Sequence, residues 1–227
     1  MARTRNAAAH AVRRDEILDV AERLIRTSGY DAMSIQNVQD ELGCSRGALY
    51  HYFGSKEAIL EAVIDRMTAA GMAVMAPVAA DSTLSAAEKL QSLFSVAGNW
   101  KSQRRDFLIP LIRGWYQPGN DLVRVRAETA AYEQFRPMMA GLLRQGVAEG
   151  TITVSSADHA AVILTALFAG STDAIRRLLI DRLDGRVPYE EVERFIHAYN
   201  EAIERILGLR PGSFWLIDHE TMHTWFA

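Results

Sequence analysis

Apolar residues recur along this chain at helical spacing and almost nowhere in the alternation that a strand needs. Ile17, Val20, Ala21, Leu24 and Ile25 mark one face of a first helix, which Gly29 should stop. Ser34 stands where it can cap a short second helix to about Leu42, and Gly43 ends it. Ser45 can cap a third helix through Tyr52, and Ser55 a fourth that begins at Lys56. Ile59, Val63, Met67 and Val74 carry that helix as far as Pro77. Further helices are predicted over 84–98, 103–116, 120–149, 156–183 and 189–207, divided by loops such as Gln117-Pro118-Gly119 and Gly185-Arg186-Val187-Pro188. Pro110 and Pro137 fall inside two of these and should kink or divide them. The pattern predicts an all-α protein, a small N-terminal bundle followed by a larger helical body.

Within the N-terminal bundle the punctuation has a specific shape. A helix-turn-helix needs two short helices, a tight turn, and a second helix with residues free to reach base edges. Gly43 supplies the turn, Cys44 follows as a small apolar group, and Ile35, Val38, Leu42 and Leu49 are spaced to pack on the first helix. Gln36, Arg46, Gly47, Tyr50 and His51 are left to face outward. A plain helical hairpin in a core would show much the same spacing.

The run Gly29-Tyr30, Ser34-Ile35, Gly43-Cys44-Ser45-Arg46-Gly47-Ala48-Leu49-Tyr50-His51-Tyr52-Phe53 and Ser55-Lys56-Glu57 resembles the DNA-binding domain of the tetracycline-repressor (TetR) family, over roughly residues 13–63. The remainder is similar to the family only in helical layout and in phrases such as Gln145-Gly146 to Glu149-Gly150. Gln39 departs from the pattern, which has a small residue four positions before the turn glycine; its stem is expected to lie along the partner helix with the amide at the rim. The resemblance implies that the third helix enters the major groove, where Arg46 would pair with guanine and Gly47 would let the backbone approach. It implies phosphate contacts from Ser34, Tyr50, His51 and Lys56, with Gln36 and Ser45 on the same DNA-facing surface. Tyr52 and Phe53 should brace the third helix from inside. An arm around Arg3 and Arg5 is expected either to touch DNA or to hang free.

The body carries two broad apolar stripes: Leu164, Leu167, Phe168, Ser171, Ile175 and Leu178, then Val192, Phe195, Ile196, Tyr199, Ile203, Ile206 and Leu207. Each can face the protomer's own core. The resemblance implies a homodimer through these last two long helices, matched to a palindromic operator. Phe94, Trp100, Phe107, Trp115, Tyr116, Tyr132, Phe135, Met139 and Phe168 are either core or, as a set, the lining of a mostly apolar pocket. The family's habit of binding small effectors favours the pocket, for a small, mostly apolar or aromatic molecule. The expected divisions are an arm and DNA-binding domain over 1–55, an effector-binding and dimerisation domain over 56–210, and a tail over 211–227.

Charge and composition change little. The net charge of −3 excludes a uniformly basic nucleic-acid coat but leaves room for a local basic patch. The single cysteine, Cys44, allows no internal disulfide and suits a reducing cytoplasm; no targeting or membrane-spanning segment is expected. His219-Glu220-Thr221-Met222-His223 fits the H-E-x-x-H pattern of zinc hydrolases, the competing reading from another class. It lies four residues from the last residue, beyond Pro211-Gly212, with no third ligand in view; a packed tail is the expectation, with no metal, cofactor or catalytic residue. A DNA-binding regulator with no small ligand is a third reading.

Overall fold

The computed structural model describes residues 2–227, with side chains from Ala8 onward. The arm at Arg3 and Arg5 therefore lies outside the described side chains. The elements run α1 (Ala2–Ala32), α2 (Ile35–Leu42), α3 (Arg46–Tyr50), α4 (Lys56–Ala80), α5 (Ala86–Ser102), α6 (Arg105–Trp115), α7 (Asp121–Glu149), α8 (Ala157–Leu183), α9 (Tyr189–Leu207) and α10 (His219–Phe226). No strand occurs among the described residues, so the all-α reading holds. Gly29 interrupts α1 where expected: its φ of +82° and ψ of 160° leave the helical region, and one further turn follows.

The prolines behave differently from expectation. Pro77 does not end α4, which continues to Ala80, and α6 and α7 run on undivided through Pro110 and Pro137. A proline removes one intrahelical donor. At Pro77 the loss falls in the final turn, and at Pro110 the orphaned carbonyl belongs to Asp106 in the first turn, where the fraying end already tolerates it.

The chain forms two compact units that do not follow linear order: Met1–Thr68 with Arg105–Ala127, and Ala69–Arg104 with Glu128–Ala227. These units cut across the divisions expected after 55 and 210. The reason lies in α6. Phe107, Leu111 and Trp115 are buried with Ile17, Leu18, Ile25, Val38, Leu49, Ile59 and Val63 in one core, so α6 belongs with the helix-turn-helix. The contact is close: a β-carbon on Gly114 would lie 2.7 Å from Tyr30 Cγ, so only glycine lets α6 approach α1 this nearly.

In the second unit Leu90, Leu93, Met139, Leu143, Leu164, Phe168, Ile203 and Leu207 form the core, and the tail is part of it. Phe214 is 2% exposed and sits in that cluster. The Phe214 N–H donates to Glu204 Oε1 (2.9 Å) and the Leu216 N–H to Asn200 Oδ1 (2.9 Å), which satisfies two buried polar side chains of α9. Asp218 caps α10, accepting from the Thr221 N–H at 2.7 Å. Trp225 Nε1 then donates to Ser102 Oγ (2.9 Å) and Arg182 Nε to the Phe226 carbonyl (2.9 Å), pinning α10 to α5 and α8.

Gly114→Ala tests the α1–α6 contact. The added methyl meets the root of the Tyr30 side chain, which cannot swing away, so the variant should lose about 1–3 kcal/mol in urea denaturation despite alanine's better helix propensity. Unchanged stability would mean that α6 is not held this closely.

Candidate nucleic-acid interface

The helix-turn-helix is held by its caps. Ser34 and Asn37 make a reciprocal capping box: the Asn37 N–H donates to Ser34 Oγ (3.1 Å) and the Ser34 N–H to Asn37 Oδ1 (3.0 Å). Gly43 closes α2 in the left-handed region (φ +60°, ψ 31°), and the Cys44 N–H returns to the Gln39 carbonyl at 3.2 Å. Ser45 accepts from the Ala48 N–H (3.3 Å) and Ser55 from the Ala58 N–H (3.1 Å). The three serines of the sequence pattern thus start three helices.

Of the five residues of α3, only Leu49 is buried; Arg46, Gly47, Ala48, Tyr50 and the following His51 are exposed. Arg46 Nη2 donates to Tyr50 Oη (3.4 Å), and its guanidinium lies 5.3 Å from the Tyr50 ring centre. The Arg46 charge is stabilised chiefly by that hydroxyl, so it stays cationic beside a free tyrosine edge. Phe53 is buried under α3 and Tyr52 is half-buried, the bracing role expected of them.

Other residues sit differently from their expected roles. Gln36 is exposed on α2 and donates to Asp40 Oδ1 (2.7 Å). Lys56 Nζ donates to the Asp31 carbonyl (3.2 Å) and rests 4.2 Å from the Tyr30 ring centre. Burial draws its ammonium below the usual lysine range, against the opposing pull of Asp31 and Glu57. Lys56 therefore fastens the start of α4 to the end of α1, a role absent from the sequence reading. Gln39 is the correction: its side chain is not at the rim but 4% exposed, and Nε2 has no hydrogen-bond partner among the described residues. The small residue usual at this position would leave no such donor.

Sequence reasoning also missed His10. Its ring lies 4.5 Å from Tyr52 and 5.8 Å edge-on to His51, which brings the N-terminal part of α1 alongside the recognition helix. No spacing pattern in the sequence marks that contact.

The nine aromatic and methionine positions expected to line a pocket divide between the units. Phe107 and Trp115 are buried in the core of the first, with Tyr116 packed against it. In the second, Phe168 is 5.0 Å from Phe94 and 6.1 Å from Phe135, and Met139 is buried in the same cluster. Tyr132 Oη donates to the Ala169 carbonyl (3.3 Å), and the Arg104 guanidinium lies 4.6 Å from the ring centre of Trp100. On α10, Thr221, Met222, Trp225 and Phe226 turn inward while His219, Glu220 and His223 are exposed. Among the described residues no three His, Cys, Asp or Glu side chains converge on one point.

A capped helix-turn-helix with an exposed arginine–tyrosine–histidine face, on an all-helical chain, defines a DNA-binding regulator. Residues 17–63 match the family described as bacterial regulatory proteins, tetR family. Over 145 residues the chain is 28% identical to the HTH-type transcriptional repressor KstR2 of Mycolicibacterium smegmatis, covering 62% of this chain and 68% of that one. It is 38% identical to the repressor AcnR of Corynebacterium diphtheriae over 63 residues, 28% of this chain and 33% of the relative. Beyond the DNA-binding segment the likeness is chiefly one of fold: the SmeT–triclosan complex superposes with a TM-score of 0.61 at 18% identity, covering 88% of this chain and 93% of that one. The chain is a DNA-binding transcriptional regulator of the TetR family.

Replacing Gln39 with alanine should raise stability by about 1 kcal/mol, because it removes a buried donor without a partner. A loss on thermal denaturation would show instead that the glutamine stem fills space α2 needs.

Proposed function

We propose that this regulator is a repressor that binds a two-fold operator as a homodimer and is released by a small, mostly apolar or aromatic effector held in its second unit. The observation that carries the DNA half is α3: four of its five side chains make no core contact and face solvent beside His51. Arg46 is the base reader, Gly47 the point of close approach, and Ser34, Gln36, Ser45, Tyr50, His51 and Lys56 surround them as backbone contacts. The repressor names of KstR2 and AcnR support the sign of the output, and the triclosan held by SmeT supports the effector. Its place of work is the cytoplasm, and among the described residues no helix is long and apolar enough to cross a membrane.

The dimer reading rests on what the core leaves uncovered. The inner parts of both stripes are buried in the protomer: Leu164, Phe168 and Ser171 on α8, and Val192, Ile196, Ile203 and Leu207 on α9. Another face of α8 is open and apolar: Val162 (49% exposed), Ile163 (58%), Ala166 and Gly170 fall within about a third of the helix circumference. Phe195, Tyr199 and Ile206 of the neighbouring α9 are only half-covered. Small residues flanked by large apolar ones suit the close crossing of two helix pairs about a two-fold axis.

Coupling follows chain continuity. The boundary between the units falls inside α4, after Thr68, and inside α7, after Ala127. An effector that favours one setting of these helices changes operator affinity by its differential affinity for the two settings, typically about 1–3 kcal/mol.

Three variants test the reading, with DNA from upstream of the chain's own gene as the first operator candidate. Arg46→Ala should blur preference at one operator position, a loss of about 1–3 kcal/mol confined to that base pair. Lys56→Ala should weaken binding at every sequence and flatten the log–log salt dependence by about 0.9. Ile163→Glu should give monomers in light scattering, by burying unpaired charge at the contact. Parent-like operator binding by both DNA variants moves the interface off α3, and an intact dimer moves the two-fold contact off α8.

A further inference from the structure

The second unit contains a lysine whose surroundings make no use of its charge. The chain has three lysines, and two have acceptors: Lys56 the Asp31 carbonyl and Lys89 the Gln145 Oε1 at 2.8 Å. Lys101, in the last turn of α5, has no oxygen within hydrogen-bonding distance of Nζ among the described residues. Burial, helped by the nearby Arg176 guanidinium, pushes its ammonium down to about 8. Its side chain nevertheless keeps accessible surface, so it stands in a recess and is not packed into protein. A cation in that position opposes folding, since nothing offsets its lost hydration.

Three helices converge there with the same polarity. On α5, Phe94 and Lys101 are two turns apart on one face; on α8, Phe168 and Arg176 are spaced likewise, and on α7, Phe135 and Glu128. At one end the rings of Phe94, Phe135 and Phe168 touch. At the other, Arg176 Nη1 meets Glu128 Oε1 at 2.7 Å, with both side chains largely buried. Seven residues of helix separate the ends by about 10 Å. At the polar end Glu128 balances one of the two cations, which leaves a single positive charge on Lys101.

We infer that the second unit binds an amphipathic monoanion, its apolar body among Phe94, Phe135 and Phe168 and its carboxylate on the ammonium of Lys101. This deepens the effector reading above and rests on it for a regulatory role, but the binding can be measured without DNA. The Arg176–Glu128 pair fixes one wall of the polar end, and Tyr132, bonded to the Ala169 carbonyl, stands beside it. A neutral ligand would bury Lys101 with no compensation, so the site selects against it.

The test is calorimetric titration of the full DNA-free chain with ω-phenylalkanoates of increasing length and with their primary amides. The parent should bind the best acid at least about tenfold more tightly than its amide, the effect of one charge-assisted hydrogen bond. Lys101→Met should erase that preference while raising the melting temperature, and Lys101→Arg should keep it. Equal affinity of the parent for acid and amide, binding of neither, or a preference that survives Lys101→Met overturns the inference. A neutral compound that displaces operator while the acid preference is absent sinks the monoanion alone. An intact acid preference in a chain that binds no upstream DNA sinks the regulatory reading alone.

Discussion

The seating of Tyr30 is the constraint on which the DNA-binding unit depends. Its ring is 5% exposed, its β-carbon fills the gap left by Gly114 of α6, and the Lys56 ammonium covers its face at 4.2 Å. Its hydroxyl donates to Asn120 Oδ1 (3.5 Å), whose Nδ2 in turn donates to the Gly114 carbonyl at 2.7 Å. Burial, with Glu57 adding to it, pushes the phenol up to about 12, so it remains a neutral donor across any physiological pH. One side chain thus joins the end of α1, the start of α4, the close of α6 and the loop before α7. Gly29 makes this possible, because the break in α1 turns the next residue inward.

That joint explains how so short a recognition helix can be definite in position. Five residues are too few to be stable as a helix on their own. α3 is held by the Ser45 cap at one end and by Leu49 and Phe53 packed on the core that Tyr30 closes. Its outward residues are consequently free of structural duty. A base-reading surface needs this division: the scaffold fixes the backbone, and the exposed side chains answer only to DNA.

The sequence made the caps, the turn and the recognition face legible because each is a local matter. A serine three residues before a backbone donor, or a glycine at a left-handed position, declares itself within a few residues. What stayed hidden depends on partners distant in sequence. Lys56 read as a phosphate ligand because its acceptor, Asp31, lies 25 residues away. Gln39 read as a rim residue because its burial depends on how α2 meets its neighbours. The aromatic set read as one pocket, whereas Phe107 and Trp115 pack with the helix-turn-helix and Phe94, Phe135 and Phe168 pack in the second unit. No periodicity could assign α6 to the first unit, since its amphipathic face fits either core. The H-E-x-x-H motif is the converse case: a pattern legible in sequence whose intervening apolar residues dock α10 and leave its histidines outside.

The interleaving of the two units bears on how an effector's binding energy can reach DNA. A domain appended by one linker can move without consequence for its neighbour. Here the chain passes between the units three times, after Thr68, Arg104 and Ala127, and two of those passages lie within helices. A helix resists bending more than a loop does, so a change in the register of α4 or α7 in the second unit is delivered to the first with little loss. At the receiving end α4 begins at Lys56, on the face of Tyr30, and α7 begins one residue after Asn120, on its hydroxyl. Both helices therefore terminate on the same side chain. On the proposed function, a ligand among α5, α7 and α8 need not distort the recognition helix itself; it need only favour a setting of α4 and α7 that unseats Tyr30, and the short helix that relies on that joint follows.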